Sequence, residues 1–193
     1  DLNEPCDLVE EIARLVGYDQ IPITVPPAPV EGLVGLTPDQ QRRRRVADEL
    51  AEFGMVESLS YPFVGDDDYK AFGFDPEVTK KVSVEIANPL YGDRPYLRRE
   101  ILPTLATTVQ RNIRRGIENV SLYELGHVYL WDPNAPVIPA LPGGVRPTDE
   151  QLAALDAGLP EQPDHVAGIL TGLAEDDGWM GGKRPVDWSD AVE

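Results

Sequence analysis

The sequence predicts an α+β fold in which an antiparallel sheet is flanked by helices. Apolar residues recur at helical spacing over residues 102–113, whereas apolar and polar residues alternate over 82–86, as in a half-buried strand. Residues 120–130 are rich in branched and aromatic side chains, which is typical of a further strand. A hydrophobic content of 41% with 26% charged residues fits a globular chain with one core, or one domain plus a piece of another.

The chain is strongly acidic, with 17 Lys and Arg against 34 Asp and Glu and a formal net charge of −17. Such a surface repels phosphate backbones and argues against tight, non-specific nucleic-acid binding. The solitary Cys6 excludes an internal disulfide and fits a reducing compartment. No apolar run is long enough to span a membrane. The N-terminus has neither a signal peptide nor an initiator Met, so we expect an excised or processed piece.

The N-terminal segment predicts a short amphipathic helix over residues 7–16. Its apolar side chains fall at helical spacing, and Gly17 supplies a stop signal. Residues 18–22 are expected to leave the helix as an extended arm.

Four carboxylates accompany this helix. Asp7, Glu10 and Glu11 occupy adjacent turns, and Asp1 lies upstream of them. Carboxylates on adjacent turns can reach one cation, and oxygen ligands suit a hard divalent ion such as Mg²⁺. The alternative is structural, because acidic residues in a first turn complement the helix dipole and Glu10 can pair with Arg14. Spacing alone leaves both interpretations open.

A linker over residues 28–36, rich in proline and glycine, separates two predicted domains, residues 1–27 and residues 37–193. The second domain opens with a helix-start signal, Thr37 as the cap followed by a proline in the first turn. We expect this helix to continue to Phe53.

Arginine occupies the consecutive positions 42–45 on this helix. One interpretation is a patch that binds RNA phosphates. Consecutive residues point around a helix rather than to one face, which favours the alternative that these side chains balance nearby carboxylates.

The segment after this helix predicts a strand over residues 56–64 that Pro62 interrupts, which is typical of an edge or a strand end. The aspartates at 66–68 begin a short helix that we expect to reach Phe72. They are a candidate metal cluster, but acidic residues at the positive end of a helix favour a solvated cap.

The rest of the chain is organised around residues 88–129, which predict a turn, a helix and a strand in succession. Pro103 suits the first turn of the helix, and Gly116 is placed to end it. The strand that follows, residues 120–130, returns the chain to the sheet.

Residues 131–164 are rich in proline and glycine and are long for a connection in a compact domain, so we expect a mobile insertion. A short helix is predicted inside it, capped by Thr148 and extending through Leu155. Residues 165–173 predict a buried strand.

Three stretches resemble the β subunit of bacterial phenylalanine–tRNA ligase. They are DLNEPCDLVEEIARLVGYDQIP at 1–22, NPL…YLRREILPTL…RN…LYELGHVY within 88–129, and LPEQPDHVAGILTG…W…VDWSDAVE from 159 onward. The resemblance implies that residues 1–27 are the helix-plus-strand end of a B5 domain. It implies that residues 37–193 are a truncated, catalytically inactive module with the class II aminoacyl-tRNA synthetase fold (the B6/B7 module). The family has a shorter connection than residues 131–164.

The same resemblance implies a metal site. In the family, an aspartate, a second aspartate six residues later and two adjacent glutamates bind magnesium. These positions match Asp1, Asp7, Glu10 and Glu11 in this sequence. The resemblance therefore implies Mg²⁺ as a cofactor.

Catalytic residues are not expected in this chain. Class II synthetases bind ATP with an arginine and a glutamate on one strand and a further arginine late in the chain, since phosphate and acyl-adenylate charges require cations. Glu124 is present, but no arginine accompanies it on the predicted strand. His127, Cys6 and His165 form no recognisable constellation of nucleophile and base. The resemblance implies that the α subunit performs the chemistry and that ATP is used by the complex but not bound here.

The partners follow from the same resemblance. The chain would pair with the α subunit in a cytoplasmic heterotetramer of two α and two β subunits that charges tRNA(Phe) with phenylalanine. We hypothesise that Arg98, Arg99, Leu105 and Val109 lie near that interface. Missing strands of the module would leave a sheet edge that favours self-association.

Two alternatives stay open from the sequence. One is a free-standing enzyme of the class II synthetase fold that binds a nucleotide. The other is a protein-interaction domain unrelated to translation. ATP binding by the chain separates the first from a scaffold, and the neighbouring domains in the parent gene separate the second.

Overall fold

The computed structural model describes residues 3–25, 35–179 and 181–192 and shows a mixed α+β chain with small sheets. Its internal contacts divide the chain into two units, Asp1–Pro38 and Asp39–Glu193. Each unit is built from its own local elements.

Helix α1 (Pro5–Val16) is the main element of the first unit, and a 3-10 helix (Tyr18–Gln20) follows it. The helix begins earlier than predicted because Pro5 occupies the first turn, where its missing N–H costs no hydrogen bond. None of the residues of α1 is buried. Its apolar stripe is therefore exposed within the described part of the chain.

The other helices begin where the sequence provides start signals. They are α2 (Pro38–Glu52), α3 (Asp66–Ala71), α4 (Pro76–Thr79), α5 (Leu102–Arg114) and α6 (Asp149–Ala157). Thr148 caps α6, since its Oγ1 accepts the N–H of Gln151 at 3.3 Å. Gly116 follows α5 with a φ of 87°, a left-handed conformation that glycine adopts without strain. Of the helices described, none combines the length and the apolar character that a bilayer span requires.

The strands form three small sheets within the described residues. In chain order the strands are β1 (Val56–Glu57), β2 (Phe63–Val64), β3 (Tyr96–Leu97), β4 (Val120–His127), β5 (Asp164–Thr171), β6 (Leu173–Glu175) and β7 (Arg184–Pro185). The sheets have the orders β1-β4-β5, β2-β3 and β6-β7. Strands β4 and β5 are antiparallel along their whole length, from Val120 opposite Thr171 to His127 opposite Asp164.

The predicted α+β class is confirmed, but the largest sheet is mixed rather than purely antiparallel, which corrects that part of the prediction. β1 runs parallel to β4, with Val56 opposite Leu122 and Glu57 opposite Tyr123. Parallel neighbours need a long crossover, and α3 to α5 lie between these two strands in the chain. Alternation of apolar and polar residues distinguishes the two faces of a strand, but it does not show whether the neighbouring strand is parallel or antiparallel. The sequence pattern therefore did not reveal this pairing.

Two predicted strands differ from those observed. The predicted strand over 56–64 is divided into β1 and β2, which belong to different sheets. Of residues 82–86, Val82 ends a 3-10 helix (Lys80–Val82), and Glu85 makes an isolated antiparallel bridge with Tyr96. The 3-10 turn occupies the start of the alternating segment, which leaves too few residues for a regular strand.

Helix α5 packs across β4 and β5, and the main core lies between them. Ile101, Leu105 and Val128 are buried at its centre. The partly buried side chains packed against them are Leu122, Leu130, Ala167 and Ile169. Since alternate residues of a strand share a face, Glu124 of β4 points toward α5 as Leu122 does.

The connection between β4 and β5 contains regular structure. Leu130 and Glu161 form a β-bridge that extends the β4–β5 pair. Between them, α6 confirms the helix predicted after Thr148 and continues to Ala157. The mobility expected for residues 131–164 stays a prediction.

Candidate functional site

Arg98 and Glu124 form a buried ion pair between the segment after β3 and the middle of β4. Nη1 of Arg98 donates to Oε1 of Glu124 at 2.5 Å. The two residues are only 4% and 1% exposed. Because an isolated charge is costly to bury, each of these charges needs the other.

Further donors of Arg98 are also used within the chain. Nη1 donates to Oγ1 of Thr104 on α5 at 3.0 Å, and Nε donates to the carbonyl oxygen of His127 on β4 at 3.1 Å. A Cβ at Gly126 would overlap Nη2 of Arg98, so glycine at this position leaves room for the guanidinium. Arg98 thus joins α5 to β4 and is committed to internal acceptors.

The carboxylate of Glu124 is enclosed on its other side as well. Its Oε2 is buried and has no hydrogen-bond partner among the residues that the structure describes. A general base must lie within hydrogen-bond reach of the proton it removes. Glu124 is therefore placed to hold Arg98 rather than to meet a substrate that approaches from solvent.

A cavity of about 390 Å³ lies at one end of the β1-β4-β5 sheet, and Phe53, Met55 and Arg184 are among its lining residues. Arg184 donates to the two carboxylate oxygens of Asp190 at 2.7 and 2.9 Å and to Glu175 at 2.9 Å. Hydrogen bonds from Arg184, the main cause, lower the pKa of Asp190 to about 2. A guanidinium held by two carboxylates offers little positive charge to a ligand phosphate.

The predicted Mg²⁺ ligands are described only in part, because Asp1 lies outside the described residues. Oδ2 of Asp7 accepts two backbone N–H groups at the start of α1, each at 2.9 Å. Glu11 pairs with Arg14 at 2.6 Å, so the ion pair involves Glu11 and not, as predicted, Glu10. In the part of the chain that the structure describes, no group of three or more His, Cys, Asp or Glu is placed to hold a metal ion. The site of four carboxylates needs Asp1 and stays a prediction.

The four residues predicted near a subunit interface are mostly internal. Leu105 and Val109 of α5 are 0% and 7% exposed, and Arg98 is 4% exposed. Arg99 is half-buried, and its Nε has no hydrogen-bond partner among the described residues. Three of these side chains pack within the chain itself, and the proximity of all four to an interface stays a prediction.

The arginines at 42–45 include a contact that the sequence did not indicate. Nη1 of Arg43 pairs with Asp164 at 2.7 Å, and Nη2 donates to the carbonyl oxygen of Leu125 at 2.9 Å. Arg42 pairs with a neighbouring aspartate at 2.6 Å. These contacts confirm, for Arg42 and Arg43, that the arginines balance carboxylates. Asp164 lies 121 residues from Arg43, so no local pattern identified the bond between α2 and β5.

Other candidate groups have structural contacts. Oδ2 of Asp68 accepts the N–H of Gly65 at 2.9 Å, which confirms a cap at the start of α3. Asp66 pairs with Lys80 at 2.9 Å, and this hydrogen bond is the main cause of a raised pKa of Lys80. Nδ1 of His127 lies 3.1 Å from a backbone carbonyl oxygen in the β4–β5 connection. The contacts of Asp66 and Asp68 thus show that the aspartates at 66–68 cap α3 and form ion pairs.

Comparison with known proteins decides the family. A family model described as the phenylalanyl tRNA synthetase beta chain CLM domain matches residues 21–193. The chain belongs to the phenylalanyl-tRNA synthetase beta-chain family. It is 99% identical over 193 residues to the phenylalanine–tRNA ligase β subunit of Bifidobacterium longum. It is 43% identical over the same length to the β subunits of Thermobifida fusca and of Streptomyces avermitilis.

The alignments cover all of this chain but a small part of its relatives. The chain spans 22% of the Bifidobacterium longum β subunit and 23% of the other two. The solved structure of PylSc, a pyrrolysyl tRNA synthetase of Desulfitobacterium hafniense, matches with a TM-score of 0.37 and 17% identity. That match covers 52% of this chain and 32% of that one. So low a similarity carries no argument about the fold.

For this member of the phenylalanyl-tRNA synthetase beta-chain family, the sequence indicated both Glu124 and Arg98, the latter as an interface residue, but not that the two pair with each other. Arg98 is 26 positions away, on a different element. One local signal was available, because Gly126 follows Glu124 on the strand and glycine inside a strand marks a close approach.

Proposed function

We propose that this chain is the part of a phenylalanine–tRNA ligase β subunit that supports the α subunit without performing the chemistry. The complete ligase, a heterotetramer of two α and two β subunits, charges tRNA(Phe) with phenylalanine and uses ATP. The observation that carries this proposal is the identity to curated β subunits along all 193 residues, 99% in one relative and 43% in another.

The placement of the positive charges supports a non-catalytic role. A site that activates an amino acid needs cations open to phosphate oxygens. Arg98 instead donates to Glu124 in the core. Arg184, beside the cavity at the end of the sheet, donates to Asp190 and Glu175. ATP would therefore be handled elsewhere in the complex.

The fold we propose for residues 37–193 is a truncated module of the class II synthetase type. The antiparallel β4–β5 pair, the parallel neighbour β1 and the crossing helix α5 support it. Residues 1–27 would be the end of a B5 domain, and residues 28–36 the linker between them.

Mg²⁺ is proposed as the ion of the N-terminal segment, held by Asp1, Asp7, Glu10 and Glu11. Carboxylate oxygens are ligands that Mg²⁺ prefers, and three of these residues lie on successive turns of α1. Thermal unfolding of the chain with increasing MgCl₂ tests this proposal. An ion that binds only the folded state raises the midpoint, and Glu10→Gln should weaken that response. An equal response in the chain and the variant would contradict the site.

We propose that the α-subunit interface lies near the start of α5. Arg98 and Leu105 are buried beneath this surface, and the half-buried Arg99 is partly exposed on it. A charge reversal at the half-buried Arg99 should change the association of the two subunits without removing a side chain from the hydrophobic core. Arg99→Glu in the complete β subunit should therefore reduce the yield of complex that co-purifies with tagged α subunit.

Arg111→Glu provides a matched control, since it makes the same change on the exposed side of α5. Failure of the unmodified β subunit to co-purify with α subunit would contradict the proposed function. Equal yields for Arg99→Glu, Arg111→Glu and the unmodified subunit would contradict the position of the interface only.

A further inference from the structure

Arg99 differs from the other partly buried cations of this chain because it has no acidic partner. The other lysines and arginines that are buried or half-buried each form an ion pair with a carboxylate of the chain, namely Arg43, Lys80, Arg94, Arg98 and Arg184. Among the residues that the structure describes, none forms an ion pair or a side-chain hydrogen bond with Arg99. Its charge is therefore half-buried without compensation.

The guanidinium of Arg99 has both an enclosed end and an accessible end. Its Nε is buried and meets no acceptor in the described part of the chain, whereas Nη1 and Nη2 are not enclosed in this way. A buried donor of a charged group costs free energy when it finds no acceptor. The guanidinium thus has free donors for an acceptor that approaches from outside the chain.

Arg99 lines a cavity of about 40 Å³ near the start of α5, and Val64, Tyr69, Phe74 and Pro103 also line it. Val64 and Tyr69 are 0% and 3% exposed, so the inner wall is dry and largely apolar. Burial, the main cause, raises the pKa of Tyr69, and the charge of Arg99 acts in the opposite direction. The positive charge therefore lies close to the Tyr69 hydroxyl.

The size of the cavity selects the kind of acceptor. A water-sized atom needs about 10–15 Å³ of such a space, so this cavity holds roughly three of them. A carboxylate, with one carbon and two oxygens, matches that size, and a phosphate group is larger. The planar fork of a guanidinium also matches the two oxygens of a carboxylate.

We propose that Arg99 binds a carboxylate group in this cavity. Resting on the function proposed above, the carboxylate belongs to an Asp or Glu side chain of the α subunit, and Arg99 is the residue of the interface that receives it. The bound carboxylate gives Arg99 the ion pair that every other partly buried cation of the chain already has.

Glu100 lines the same cavity and is exposed, and it forms no ion pair with any described residue. Its carboxylate does not satisfy Arg99 and repels an incoming carboxylate through their like charges. Glu100→Gln should therefore strengthen the binding of a carboxylate. A variant that bound it no more tightly than the parent would contradict the site.

Thermal unfolding of the 193-residue chain with sodium acetate at neutral pH tests the site directly, with sodium chloride at equal ionic strength and neutral acetamide as controls. A ligand of so few atoms should bind with a Kd on the order of 1–10 mM. At about 100 mM, acetate should then raise the unfolding midpoint by about 2–5 °C more than either control.

Two variants separate the site from a general effect of acetate on stability. Arg99→Lys keeps the charge but removes the planar fork, so it should lose most of the acetate response. Arg111→Lys makes the same change at an exposed arginine of α5 and should respond as the parent does. Equal effects of acetate and acetamide on the parent, or equal acetate responses of the two variants, would overturn the proposal.

Co-purification of the complete β subunit with tagged α subunit identifies the source of the carboxylate. Arg99→Lys should reduce the yield of complex, and Arg111→Lys should not. Equal yields alongside an intact acetate response would overturn the α subunit as the source and assign the site to a free small carboxylic acid. Failure of the unmodified β subunit to co-purify would contradict the proposed function, while acetate would still test the site.

Discussion

Arg98 and Glu124 are separated by 26 positions in the chain, and their charges meet in the core beneath α5. The pair connects the segment that follows β3 with the central strand of the largest sheet. Each charge offsets the cost of burying the other, because either charge alone would be buried without a partner.

Removing one partner of this pair should be costly. Glu124→Ala leaves the guanidinium of Arg98 buried and uncompensated, so we expect a loss of about 3–5 kcal/mol in the free energy of unfolding, measured in urea. The double variant Arg98→Met/Glu124→Leu should recover much of that loss. A single substitution that costs less than about 1 kcal/mol would show that the pair is not buried in solution.

Gly126 should tolerate no side chain while Arg98 occupies its present position. Gly126→Ala places a Cβ against Nη2 of Arg98, so the guanidinium must move, and overpacking of this kind costs about 1–3 kcal/mol. Gly92→Ala is the control, because a Cβ there would meet nothing within 4 Å. Equal unfolding midpoints for the two variants would contradict the close approach.

Leu105 is 0% exposed and lies at the centre of the core under α5. Leu105→Ala removes buried methyl groups and leaves a cavity, for which we expect a loss of about 2–5 kcal/mol in unfolding free energy. Leu90→Ala removes the same atoms from a side chain that is 70% exposed and should stay within about 0.5 kcal/mol of the parent. Similar losses at both positions would place the core elsewhere.

The ion pair of Arg184 and Asp190 should make the free energy of unfolding depend on pH in the acidic range. Hydrogen bonds from Arg184 lower the pKa of Asp190 from its ordinary 3.8 to about 2. A depressed pKa in the folded state adds stability above the unfolded-state value, and that stability is lost as pH falls toward the folded-state value. Unfolding free energies of the chain and Asp190→Asn should therefore converge between roughly pH 4 and pH 2. If the difference in unfolding free energy between the chain and Asp190→Asn stayed constant over this pH range, the lowered pKa of Asp190 would be contradicted.

Local signals in the sequence predicted most of the helices. Proline in the first turn and glycine after the end defined α5, and the Thr148 cap defined α6, because these contacts form within a few residues. Strand β4 was also predicted, although it ends at His127 rather than at 130. Such elements are determined by neighbours in the chain.

The pairing of distant segments was not predictable in the same way. The parallel contact of β1 with β4 depends on the crossover between them. The bonds from Arg98 to Glu124 and from Arg43 to Asp164 join residues that are far apart in the chain, where neither helical nor strand periodicity relates the two positions. The candidate site is built from these long-range contacts, so the sequence supplied its residues but not their pairing.

We propose that this chain is a scaffold of the ligase that does not bind ATP, since Arg98 donates to Glu124 within the core. Isothermal titration of ATP and Mg²⁺ into the 193-residue chain measures this most directly. We expect no saturable binding at millimolar ATP. Saturable binding with a micromolar Kd, above all if Arg98→Met/Glu124→Leu abolished it, would contradict the claim.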